Sequence, residues 1–233
     1  ILNLQNYINM IILNRGENME ISKFFSKVFV WMFIGLAITF CTGALVASNP
    51  KALETIFSFG GYIGIVIIEL ILVFVLSAFV HKMSPVAAKI SFIVYSVVSG
   101  LTFSSIFVVY EIESIMVVFL MAAAIFFVLA LIGYFTKADI TKIGTILLVS
   151  LLVTIVLSII NIFVMSSSFN LVICLLALAI FMAYVCYDVQ KLKAYYSNGL
   201  SNDNMVIYGA LELYLDFINI FLRLLQLFGK SKD

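Results

Sequence analysis

The stretch Met205–Phe228 reads MVIYGALELYLDFINIFLRLLQLF and limits what this chain can become more than any other. It has about the length an α-helix needs to cross a bilayer. Its polar residues are Tyr208, Glu212, Asp216, Asn219, Arg223 and Gln226, at steps of four, four, three, four and three. That spacing sets all six on one helical face. A charge at mid-membrane costs roughly 2.5–3.5 kcal/mol even on the lenient insertion scale, so the stripe cannot face lipid. It must face protein or water, which places this helix inside a bundle.

The rest of the chain fits that expectation. Of 233 residues, 64% are hydrophobic and only 11% charged, against about 45–50% and 25% in a soluble domain. The class is a polytopic, multi-pass integral membrane protein whose main partner is the lipid bilayer. A formal net charge of +1 argues against a nucleic-acid partner. Cys41, Cys174 and Cys186 are dispersed in apolar runs, which suits buried small hydrophobes better than disulfides or a metal site. His81 is the one histidine and reads as a solvated loop residue, so a histidine-based zinc site is not expected.

Residues 1–22 read as a cytoplasmic leader, since the apolar run Ile8–Leu13 is too short to span and no small-residue cleavage site follows it. Residues 23–233 then form one transmembrane domain. Its spans are expected near Phe24–Ala47, Ile56–Phe79, Val86–Tyr110, Ile112–Phe135, Ile143–Met165, Phe169–Gln190 and Met205–Phe228. Nine of the thirteen lysines and arginines fall in the leader and the loops of one side, Lys191 and Lys193 among them. The positive-inside rule makes that side cytoplasmic, with the N-terminus inside and the C-terminus outside.

Acids inside these spans are functional candidates, as ion paths or proton relays. Glu69 is in mid-span, Asp188 is near the cytoplasmic end of the sixth span, and Glu212 and Asp216 are in the seventh. The structural alternative is an acid paired with Arg223 to fix packing. Seven residues, about 10.5 Å of rise, separate Arg223 from Asp216, so Asn219 or water would have to bridge them. Asp188 and Asp216 approach from the same side and meet if their helices pack antiparallel. Two carboxyls in contact do not ionise independently and share a proton. Both protonation states are then accessible in a cell, as a pH switch requires. A carboxylate pair is also a hard-oxygen site that suits Ca²⁺. Weaker signals are the small residues from Ser96 to Ser105, read as a packing face, Glu111 and Glu113 in a turn, and Asn161, read as an interhelical hydrogen-bond donor.

At Ala183–Lys193, AYVCYDVQKLK, and at Ala210–Gly229, ALELYLDFINIFLRLLQLFG, the chain resembles the Bax inhibitor-1 family, also called the transmembrane Bax inhibitor motif family. Val98-Ser99-Gly100-Leu101-Thr102-Phe103 and Gly133-Tyr134-Phe135-Thr136-Lys137-Ala138-Asp139-Ile140 carry the same likeness, which runs from about Lys23 to the end. The resemblance implies an all-α membrane protein of seven transmembrane helices, the last central and surrounded by the other six. It implies a pH-sensitive calcium leak in the plasma (inner) membrane, with Ca²⁺ as the transported ion, protons as the signal and no cofactor. It implies that Asp188 and Asp216 are the pH-sensing pair and that Glu69 stands on the ion path. On this reading the pathway also takes in Glu212, Asn219 and Arg223. Bacterial members carry an arginine where this chain has Gln226; here it stands one turn earlier, at Arg223, which weakens any latch onto the aspartates.

Three other readings stay open. One is a non-conducting scaffold that binds other membrane proteins, and another is an ion- or proton-coupled transporter. The third is an intramembrane aspartyl protease, matched by Tyr187-Asp188 but not by Leu213-Tyr214-Leu215 before Asp216, where such enzymes carry a Gly-x-Gly turn. No enzymatic activity is expected.

Overall fold

Prolines and small polar caps cut the apolar sequence into helices. The structure, a computed structural model, describes residues 2–58 and 60–232, with the backbone alone at 2–18 and 141. Helix α1 is Leu2–Ala47 and α2 is the short Pro50–Phe57, started by Asn49, whose side chain accepts from the Lys51 and Ala52 amides. Helix α3 is Gly61–Phe79. Ser84 accepts from the Ala87 amide and, with Pro85 behind it, starts α4, Pro85–Val109. Helix α5 is Ile112–Phe135 and α6 is Gly144–Val164. Ser166 caps α7, Ser167–Ser197, and Asn202 caps α8, Asp203–Phe228.

Among the described residues, seven helices are long and apolar enough to cross a membrane; α2 is the exception. Most ends agree with the sequence reading to within a residue or two. Three differ. The first expected span began at Phe24, but α1 is already helical from Leu2. The second expected span began at Ile56, but Thr55–Phe57 belong to α2, and the chain turns at Ser58 before α3. The sixth expected span stopped at Gln190, whereas α7 continues to Ser197. Leu192, 1% exposed, carries the buried face on, and Lys193 bends its ammonium to the Tyr134 carbonyl oxygen, 3.0 Å away. The leader expectation falls largely on residues whose side chains lie outside those described.

Helix α8 packs against α1, α4, α5 and α7, and more lightly against α3; α6 packs chiefly on α7. α8 is the most buried of the spans, at 67% of its apolar window. Aromatic contacts fix it, with Phe221 stacked on Phe103 and Phe217 edge-on to Phe126. A buried polar knot joins three helices. The Thr39 hydroxyl donates to the Ser96 carbonyl (2.9 Å), which leaves its oxygen to accept from the Tyr214 hydroxyl at 2.7 Å. The small residues of α4 do serve packing: a Cβ on Gly100 would come within 2.9 Å of the Thr39 carbonyl oxygen on α1. Asn161 does not bridge helices. Its Oδ1 accepts from the Ser166 amide at 3.3 Å and closes the α6 end locally, since Met165 turns the chain there in a left-handed conformation.

Candidate functional site

Helices α7 and α8 run back to back, joined by the tight turn 198–202. Gly199, at φ +82°, supplies a conformation that L side chains rarely adopt, and Leu200 donates back to the Tyr195 carbonyl. Two glycines hold α7 from its other side. A Cβ on Gly133 of α5 would sit 2.6 Å from the Cys186 carbonyl oxygen, and Gly144 of α6 leaves the space that the Tyr187 ring fills. Gln190 ties α7 to the α5–α6 connection, accepting from the Ile140 amide (2.7 Å) and donating to the Ala138 carbonyl (2.7 Å). Cys186, Tyr187 and Gln190 flank Asp188, so these contacts set its position.

Asp188 is 3% exposed and Asp216 is 4% exposed. Asp188 faces α8 and interacts with both Glu212 and Asp216, which are one turn apart there. Asp216 Oδ2 is buried and has no hydrogen-bond partner among the described residues. Lys191, one turn beyond Asp188 on α7, reaches between the helices. Its ammonium lies 2.9 Å from Glu212 Oε2 and 3.4 Å from Asp188 Oδ1. The ring centroids of Tyr208 and Tyr187 are 5.2 and 5.7 Å from the same nitrogen. The cluster therefore holds three carboxyl groups and one ammonium.

The polar stripe of α8 divides in two. Tyr208, Glu212 and Asp216 meet α7. Asn219 turns inward on its own helix, donating to the Leu215 carbonyl at 2.8 Å, and does not bridge to Arg223. Arg223 donates to Gln226 Oε1 at 3.1 Å, while its Nε is buried without a partner among the described residues. Glu69 stands apart from the aspartates, half-buried on α3, where it accepts from the Thr102 hydroxyl at 2.9 Å. Among the described residues, no group of three or more His, Cys, Asp or Glu side chains converges to hold a metal ion. Lys191 fills the space between Glu212 and Asp188 that a cation would take.

Lys191 is the residue that sequence reading missed. It counted as a loop charge, although its spacing of three from Asp188 on a continuing helix places both on one face.

The family model described as "Inhibitor of apoptosis-promoting Bax1" matches residues 21–233. The inner membrane protein YbhL of Escherichia coli K12 is 34% identical over 218 residues, covering 91% of this chain and 93% of that protein. A membrane protein of Streptococcus pyogenes serotype M1 is 40% identical over 172 residues, covering 73% of this chain and 75% of its own.

Proposed function

The chain belongs to the Bax1-I family of membrane proteins, and we propose that it is a pH-sensitive Ca²⁺ leak of the inner membrane, gated by protonation of Asp188 and Asp216. The observation that carries the reading is the buried contact of these carboxyls across α7 and α8, with Glu212 and Lys191 beside them.

Charge balance gives the mechanism. Lys191 offsets one of three carboxylates. A proton shared by Asp188 and Asp216 offsets a second charge and bonds the two helices. Loss of that proton leaves one more unbalanced negative charge in a site with little water, a cost that separating the helices relieves. Separation also opens hard oxygen ligands to a hydrated cation, with Glu69, Glu212, Asn219 and Arg223 as the other polar groups of the path. Flux therefore rises as pH rises through the titration of the pair. The YbhL likeness supports the inner membrane as the site of action, and the lysine and arginine distribution supports a cytoplasmic N-terminus.

The test is Ca²⁺ uptake by liposomes that contain only this protein, from about pH 6 to pH 8, beside Asp216→Asn. The expected result is uptake that grows with pH in the natural chain and loses its pH response in the variant. Absence of uptake at every pH would rule out the leak and favour a scaffold or a coupled transporter. Uptake with an unchanged pH response in the variant would move the sensor elsewhere.

A further inference from the structure

Helices α1 and α5 both pack on α8 but leave a lateral gap between them. The gap is a groove of about 600 Å³, within the range of cavities that bury small ligands. It is lined almost wholly by apolar side chains, among them Phe29, Phe33, Ala123 and Phe127. Along α1 it runs from Ser22 to Leu36, about 21 Å of helix rise, somewhat more than one leaflet's hydrocarbon, about 15 Å.

At its lysine-rich end the groove meets a second, polar cavity. Both are lined by Tyr134 and Phe135, and the second also by Lys137, Lys193 and Asp139. Lys193 lies over the Tyr134 ring, 5.0 Å from its centroid, at the junction. Its one hydrogen bond, to the Tyr134 carbonyl, leaves its charge unbalanced, and no ion pair engages Lys137 or Lys193 among the described residues. Asp139, the acid on this rim, lies 3.6 Å from Lys142. An apolar channel of leaflet length that ends at two ammonium groups outside any ion pair matches one chemistry: an acyl chain joined to a headgroup of net negative charge.

We propose that the α1–α5 groove is a binding site for an anionic glycerophospholipid, its acyl chain between Phe29 and Phe127 and its phosphate at Lys193 and Lys137. Basic pockets between membrane helices on a lysine-rich side are suited to anionic headgroups. Ordinary lipid solvation of the gap would need only the apolar walls. The two ammonium groups at its mouth make headgroup charge the discriminating feature. The site does not depend on the channel reading, although its floor includes Val189 and Phe217, the neighbours of Asp188 and Asp216.

Native mass spectrometry of the full chain, released from detergent after titration with dioleoyl phosphatidylglycerol or dioleoyl phosphatidylcholine, tests it. The natural chain is expected to retain the glycerol lipid preferentially. Lys137→Gln with Lys193→Gln should reduce that retention on the order of fivefold per lysine and leave the choline lipid unaffected. Ala123→Trp, which fills the groove, should reduce both. Size-exclusion profiles identify any variant that has misfolded. Equal retention of the two lipids, a preference that survives the double lysine variant, or a dimer that seats a second copy in the groove would each overturn the proposal.

Discussion

Lys191 shows how one residue changes the meaning of its neighbours. Without it, Asp188, Glu212 and Asp216 would be three acids in a buried space; with it, two of them share a cation. Removing one partner of a buried pair costs more than removing both, because the survivor keeps its desolvation cost. Lys191→Met should therefore destabilise the protein by about 3 kcal/mol, the low end of the range for breaking a buried pair, since both side chains stay 19% exposed. Adding Glu212→Gln should recover part of that loss. Thermal unfolding in detergent of the natural chain, both single variants and the double variant measures the coupling. Additive losses would mean that the 2.9 Å contact contributes nothing to the fold. The Thr39–Tyr214 hydrogen bond is a second such knot, and Tyr214→Phe should cost about 1 kcal/mol by orphaning a buried hydroxyl acceptor.

Among the elements, α7 carries the site and is held by two unlike contacts. At Gly133 the obstacle is the Cys186 backbone, which cannot turn aside; at Gly144 it is the Tyr187 ring, which can. Gly133→Ala should force α5 away from α7 and cost about 1–3 kcal/mol, as overpacked sites do. Gly64→Ala on α3 meets nothing within 4 Å and should be neutral or stabilising, through helix propensity. Melting temperatures of the two variants make the comparison, and equal shifts would remove the special role of the α5–α7 crossing. The elements also show what sequence can convey. Ser84-Pro85 and the three serines before Phe169 mark helix starts because capping is local chemistry. The end of α7 was not legible, because the contacts that draw its last turns into the bundle, Lys191 to Glu212 and Lys193 to Tyr134, come from other helices. The stripe on α8 was legible as a face, and its division between inter-helix contacts and Asn219's bond to its own backbone was not.

Across the whole molecule, ionisable contacts gather at separate places, and they separate the two sources that a pH response could have. Opposite the α7–α8 turn, the segment after α8 folds back over the α4–α5 corner. Lys230 accepts from the Glu111 amide through its carbonyl at 2.9 Å, and Lys232 donates to the Val109 carbonyl at 2.9 Å. The Lys230 ammonium lies 2.9 Å from Glu111 Oε1 in this turn. The hydrogen bond to Glu111 and its charge raise the Lys230 titration above 10.5, the ordinary lysine value. Because the folded value is raised, the pair's contribution is fully present below the unfolded value and is lost only as pH climbs through the higher, folded one. Across pH 6 to 8 Lys230 therefore does not change charge, and it does not supply a neutral-pH switch. Lys230→Gln should leave the pH profile of Ca²⁺ uptake unchanged while loosening the corner, read as faster amide exchange at Glu111. The pH response that we propose therefore rests on the buried Asp188–Asp216 pair, where two carboxyls meet without a full complement of countercharge. A profile that moves with Lys230→Gln would place the sensor at the α4–α5 corner instead.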